Sequence, residues 1–331
     1  MRCAACLVSI GALVAAGACS DAVQPGVGPA WRSGPELPDG RRRLEAGVAA
    51  MGTQLVVAGG IENTVIEGLD VTREVLALDT LTGAWSQLPD APVALTHINL
   101  AAVGGRLYLL GGLEGPTFIA RGASYELAQG ATEWTQIESM PAGLERGAAA
   151  VVTGPNQIFV LGGAGSTSAV ASCLVYDIAA RTWRRLPDLP NARSHPAAMR
   201  QRDGTLIVAG GLATLDARAP LADVFALRVN DEAWTGGRHP MLTARGGCAY
   251  GTALGELVCA GGEAGNEVLS AVESYDPVMD LWTQLPDMPA PRGGTQGAVV
   301  GQLLYVPGGA AVPAFEPEST VLVFSPLAAP R

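Results

Sequence analysis

The chain has 331 residues, enough for two average domains or one large all-β domain, and its 43 Gly, 23 Pro and 5% aromatic content call for frequent turns and short strands. A formal charge of −10 repels a phosphate backbone, so nucleic acid is not expected as a partner. All 21 basic residues are Arg, which removes Schiff-base and lysine-base chemistry.

Residues 1–19, MRCAACLVSIGALVAAGAC, read as an export signal: Arg2 is the n-region charge, Leu7–Ala18 is an apolar run too short to span a bilayer, and a small-residue site follows. The string Ala16-Gly17-Ala18-Cys19 resembles a bacterial lipobox, with Ala16 where Leu or Val is usual. That resemblance implies lipidation of Cys19 and a membrane anchor, followed by a tether over 20–30; ordinary cleavage at the same site, leaving a periplasmic or secreted protein, is the alternative. Ser20 after the Cys points to the outer membrane. Cys3 and Cys6 leave with the signal, so Cys173, Cys248 and Cys259 form no disulfide framework. The last two fall on neighbouring strands and are expected as buried thiols rather than a bridge.

From Trp31 onward the chain repeats. Apolar strands end in Gly pairs at 59–60, 111–112, 162–163, 210–211, 261–262 and 308–309, and the six Trp stand at 31, 85, 134, 183, 234 and 282. Between them lie LALD, SYEL, LVYD, FALR and ESYD. Each unit predicts four short antiparallel strands: one after the Pro-x-x-Arg region, one ending at the Gly pair, one carrying Tyr-Asp and one near the Trp. A sheet this small buries both faces only by packing against like neighbours around an axis. The last unit, ending VLVFSPLAAPR, lacks its Trp strand, while WRSGPELPDG near the start has no blade in front of it. The segment at 31–37 is therefore expected to supply the fourth strand of the last blade and leave the ring without a free edge.

The Gly pairs, Tyr-Asp and spaced Trp resemble the kelch repeat over residues 31–325, ahead of a short tail at 326–331. The resemblance implies an all-β fold, a six-bladed kelch β-propeller whose last blade is closed by the N-terminal strand. It also implies a ligand site at the mouth of the central channel, built by the loops between second and third strands and by the residues opening the first strand. At the opening position stand Arg43, Leu95, Arg146, Arg193, Arg245 and Arg292. The five Arg are read as repeat architecture, pairing and capping between blades. Two residues later the units diverge to Glu45, His97, Ala148, His195, Gly247 and Gly294. Glu45, His97 and His195 are the candidate ligand-binding residues; a pocket edged by ordinary imidazoles responds to pH between roughly 5.5 and 7.5. The loop 61–74 carries Glu62, Glu67, Asp70, Arg73 and Glu74 beside Glu45, and the loop 212–223 is also extended.

No metal is expected, because His97 and His195 sit about a third of the ring apart and no His-x-His or His-x-x-x-His pair preorganises ligands. Copper radical oxidases on a kelch ring need a Cys–Tyr cross-link and accompanying His; Tyr250 beside Cys248 has no such His. No Gly-x-Ser-x-Gly elbow, Walker loop or Rossmann fingerprint is present, so no cofactor is expected. The sequence thus reads as a monomeric, extracytoplasmic binding module for a glycan or an extended protein segment, with no catalytic residue assigned. The alternative is a sugar mutarotase similar to the exported sialic acid mutarotases, working by proton transfer through Glu45, His97 and His195.

Overall fold

A computed structural model describes residues 30–65, 68–313 and 316–326. The leader, most of the tether with Cys19, Glu67 and the last five residues lie outside them. The architecture is a ring of six antiparallel sheets. Blade 1 comprises Gly47–Met51, Gln54–Ala58, Val75–Asp79 and Trp85–Leu88, in that order from the axis outward. Blades 2, 3 and 5 repeat this order, and their first strands are Leu100–Val103, Ala150–Thr153 and Ala249–Ala253. In blade 4, which opens with Ala197–Arg200, three strands are regular and the fourth shrinks to a single bridge between Ala226 and Thr235. That is the unit in which FALR replaces Tyr-Asp.

The closure expected from the misplaced Trp is present. Ala30–Ser33 pairs antiparallel with Val321–Ser325, setting Trp31 opposite Phe324 with ring centroids 4.9 Å apart. One short N-terminal strand thereby covers what would be an open sheet edge.

The second strands read as continuous apolar runs because both of their faces are covered. In blade 1, Val56 and Ala58 join Leu100, Leu107 and Leu109 of blade 2, while Leu55 and Val57 join Ala298, Val300 and Tyr305 of blade 6. Each of the other four junctions has a cluster of the same kind. The core is thus six interblade layers arranged round the axis.

Backbone contacts lock the junctions. The second Gly of the pair in most blades donates its N–H to the carbonyl at the opening position of the next blade: Gly60 to Leu95, Gly163 to Arg193, Gly211 to Arg245, Gly262 to Arg292 and Gly309 to Arg43, at 2.7–2.9 Å. At the first Gly, a Cβ would come within 2.3 Å of the Arg43 carbonyl from Gly308 and 2.4 Å of the Arg292 carbonyl from Gly261. Glycine is needed there for close approach and for the positive φ.

The Trp series forms a second lock. Each indole N–H reaches back to a carbonyl of the preceding blade: Trp134 to Pro89, Trp183 to Glu138, Trp234 to Pro187, Trp282 to His239 and Trp31 to Pro286, at 2.9–3.1 Å. Trp85 is the exception. It faces the junction closed by the N-terminal strand, and its buried Nε1 finds no acceptor among the described residues.

The cysteine expectation is corrected. Tyr250 is the strand partner of Cys259, so Cys248 lies diagonally across the ladder with Cα atoms 5.6 Å apart, and the two sulfurs are bonded. That separation lies within the range a disulfide spans. Cys173 is a buried free thiol.

Candidate functional site

The five Arg are buried, at 0–4% exposure, but their side chains act within a blade rather than between blades. Arg146 donates to the carbonyls of Leu144, Gly162 and Ser172. Arg193 reaches Gly210 O and the Asp223 carboxylate, Arg245 pairs with the buried Glu273, and Arg292 bonds Thr320. Each ties the segment before the first strand to the loop between second and third strands. The expectation of interblade pairing mistook the side chain for the backbone, since the carbonyl of the same residue spans the junction. The acidic loop of blade 1 serves this role too: Glu62 and Glu74 both face Arg43. They are not part of the mouth.

Two residues beyond the Arg, the chain turns into the channel. Glu45, His97, Ala148, His195, Gly247 and Gly294 all have φ between 49° and 66°. The amide of Glu45 donates to Gly294 O, His97 to Glu45 O, Ala148 to His97 O, His195 to Ala148 O and Gly247 to His195 O, at 2.6–3.0 Å. The six units therefore form a belt of left-handed residues around the axis. Four of them carry side chains in a region costing about 1–2 kcal/mol per residue for anything but glycine. Gly294 has a further reason to lack one: a Cβ there would sit 2.3 Å from Leu44 Cδ1 and 3.0 Å from Glu45 Oε1.

The belt is narrow, which corrects the separation expected of the two imidazoles. Their ring centroids are 5.2 Å apart, edge to face. Glu45 Oε2 lies 3.2 Å from His97 Nε2 and 3.9 Å from His195 Nε2. The three ligand-capable atoms all fall within 4.8 Å of one another. Phe118, from the blade 2 loop, packs its ring against His97 at 5.4 Å.

Both imidazoles are held the same way from behind. His97 Nδ1 is 2.8 Å from Thr96 Oγ1, whose hydroxyl reaches Leu113 O; His195 Nδ1 is 3.1 Å from Ser194 Oγ, whose hydroxyl reaches Thr214 O. A hydroxyl that gives its proton to a carbonyl accepts on its lone pair, so Nδ1 is the protonated nitrogen and Nε2 presents a lone pair to the centre. Burial pushes His97 down to about 3 and His195 down to about 4, the latter opposed by the Glu45 charge. Burial raises the Glu45 carboxyl, against the His195 charge. The imidazole response expected between roughly 5.5 and 7.5 is displaced, because that window belongs to solvated rings.

Above the cluster opens a cavity of about 360 Å³ with Glu45, His97 and His195 at its floor. Its walls come from the loops between second and third strands, among them Leu113 and Phe118 of blade 2, Leu212, Leu215 and Ala217 of blade 4 and Pro313 of blade 6. The channel is crossed below the belt. Gln296 Nε2 donates to Ile98 O and its Oε1 accepts from Val48 N, while Tyr250 OH accepts from Val151 N. Tyr250 is thus a structural strut, and its cysteine neighbours are bonded to each other.

Of the polar wall residues absent from the sequence candidates, Asp216, Glu263 and Glu267, the one set in a repeat column is Glu263. Glu263 follows the Gly pair of blade 5, where the other units have Ile61, Leu113, Ala164, Leu212 and Ala310. Burial and the nearby Glu45 push its carboxyl up to about 7. Thr96 and Ser194 were missed as well. In the column preceding the belt the units read Leu44, Thr96, Gly147, Ser194, Gly246 and Gly293, so hydroxyls occur only in the two units that carry His. Applying the search for divergence to these two columns would have found all three residues.

The sequence profile of the kelch motif matches residues 42–92, 145–190 and 244–289, which are blades 1, 3 and 5 with the segments that open them. These three segments carry kelch repeats. The chain is similar to Kelch-like protein terF of Aspergillus terreus, 31% identical over 298 residues, covering 86% of this chain and 64% of that protein. Kelch-like protein 38 of Mus musculus is 29% identical over 242 residues, and Kelch-like protein 34 of Homo sapiens 27% over 255. Each alignment covers 72% of this chain, which spans only 40% and 38% of those two proteins. These relatives are kelch-like proteins, with no mutarotase among the three. The loop-lined mouth of the ring is a concave site lined by Glu45, His97 and His195.

Proposed function

We propose that this kelch ring is an extracytoplasmic binding module that takes an extended protein segment across its loop face and seats one side chain of that segment in the channel mouth. The observation that carries this reading is the blind, largely apolar cavity of about 360 Å³, of the size of small-ligand pockets, ringed by loops of many blades. A glycan is the weaker choice of ligand. Sugar faces stack on exposed aromatic rings, whereas the Phe118 ring in the wall packs edge-on against His97 and the six Trp sit at the blade junctions, outside the cavity. Selection of random peptides on the ring tests the reading. Peptides should emerge that bind the parent and are lost when Ala217→Trp fills the mouth; peptides indifferent to that change would place binding elsewhere.

The extracytoplasmic part rests on residues 1–19. Lipidation of Cys19 makes the protein partition into detergent, and Cys19→Ser releases it or stalls its processing. An N-terminal peptide starting at unmodified Cys19 or Ser20 would mark a freely secreted protein instead.

One observation favours a second reading, acid–base catalysis on a reducing sugar: a carboxyl and an imidazole nitrogen face each other at 3.2 Å inside an enclosed site. A mutarotation assay by NMR over a panel of sugars, sialic acid included, separates the two. Turnover abolished by Glu45→Gln would replace the binding-only reading.

A further inference from the structure

The floor of the mouth is chemically incomplete in a way that specifies its occupant. Two imidazoles present Nε2 lone pairs and a carboxylate presents Oε2 to one point, all within 4.8 Å of one another. Among the described residues no Arg lines the cavity, although Glu45, Asp216, Glu263 and Glu267 do. Donor atoms of one kind do not gather in a buried place unless a cation or protons lie between them. Resting on the reading that the mouth is the binding site, we infer that Glu45, His97 and His195 hold a divalent first-row transition metal ion, of the Zn²⁺ or Fe²⁺ kind, with its open coordination positions facing the cavity.

Three features support the assignment. Two neutral imidazoles and one carboxylate are the donor set that suits these ions when part of the coordination sphere is left for a ligand. The Nδ1 atoms are tied to Thr96 and Ser194, whose hydroxyls pass their protons to backbone carbonyls. Fixing the outer nitrogen of a His is how metal sites orient the inner one. The pairing of a hydroxyl with each His, and with no other belt residue, is not explained by the repeat, because Ala148, Gly247 and Gly294 hold the same backbone turn without it.

The spacing needs only a small contraction. Ligands at about 2.0–2.2 Å from a tetrahedral ion lie about 3.3–3.6 Å apart. The Glu45–His97 pair is already there at 3.2 Å, and His195 at 3.9 Å from Glu45 has only a few tenths of an ångström to close. The widest pair of the three, at no more than 4.8 Å, closes by at most about 1.2–1.5 Å to reach that ligand spacing, within reach of side-chain rotation on a fixed belt. The open positions would meet a carboxylate, carbonyl or hydroxyl of the segment bound above.

The test uses the full chain, stripped with EDTA and titrated with Zn²⁺ by calorimetry, with Co²⁺ by its visible spectrum and with Fe²⁺ under anaerobic conditions. One ion is expected at the cluster, with Glu45→Gln, His97→Ala and His195→Ala each weakening Zn²⁺ at least ~100-fold and His239→Ala, at the exposed third His, without effect. Thr96→Val should weaken Zn²⁺ roughly 10–100-fold and Thr96→Ser should restore it, a response expected of a positioning residue. Circular dichroism shows which variants fold, and Glu45→Gln, the mildest change, keeps the test open if a His variant does not. Failure to take up any of the three ions, or uptake unchanged in the His97→Ala/His195→Ala double variant, overturns the assignment. Peptides still captured by the mouth in EDTA would then spare the binding reading. Metal uptake without any selectable peptide would do the opposite.

Discussion

Arg245 of blade 5 and His97 of blade 2 occupy columns two residues apart in the repeat, and the ring treats them in opposite ways. Arg245 is 1% exposed and its charge meets Glu273, also 1% exposed, along with the Ala271 carbonyl. His97 is nearly as buried, at 8%, yet its inner nitrogen faces a carboxyl whose burial opposes ionisation. In the column that repeats, the polar group finds its hydrogen-bond partners within its own blade. In the column that varies, polar groups converge from different blades and are completed by none. The comparison teaches that a buried polar residue in a repeat protein belongs to the architecture when its partners repeat with it, and to the site when they do not.

The largest test of the architectural side is the closure. Deleting residues 30–40 removes the pairing of Ala30–Ser33 with Val321–Ser325, the Trp31 bond to Pro286 and the buried Leu37. Aggregation, or a melting point lower by at least ~10 °C, is expected in gel filtration and thermal melts. A monomer that melts unchanged would show that the ring does not depend on its seam.

Next comes Arg245→Ala, which leaves Glu273 buried without its cation. Breaking a buried pair from one side costs about 3–5 kcal/mol, read as a lower denaturant midpoint. The double variant Arg245→Met/Glu273→Met should recover most of that loss if the cost lies in the orphaned charge.

A smaller effect is expected of Cys259→Ser. The Cys248–Cys259 bridge closes a short loop, with a sequence separation of 11, worth about 2.5–3 kcal/mol in the chain-entropy picture. The parent under strong reductant should match the variant, and a parent indifferent to reductant would remove the bridge from the architecture.

The smallest change is expected where the site begins. His97→Ala and Glu45→Gln, measured in EDTA so that no ion contributes, should melt within about 2 °C of the parent. Burial keeps both imidazoles neutral, so neither change strands a buried cation. If these variants unfold the ring while Arg245→Ala does not, the division between architecture and site is reversed.

Much of this was legible in the chain because repetition makes a sequence its own alignment. The Gly pairs, the Trp ladder and the displaced Trp31 gave the number of blades and the closing strand. Divergence within one column picked out Glu45, His97 and His195 from 331 residues. Local patterns sufficed there, since each blade is built from contacts spaced by one repeat. What the sequence could not supply was the radius of the ring at each level. Only the fold shows that a belt of left-handed residues, bonded amide to carbonyl, pulls blades 1, 2 and 4 to within 4.8 Å at their ligand atoms, and that Cys248 reaches Cys259 across a diagonal of the ladder. Distances across an axis depend on how six sheets pack at once, and no window of one repeat contains them.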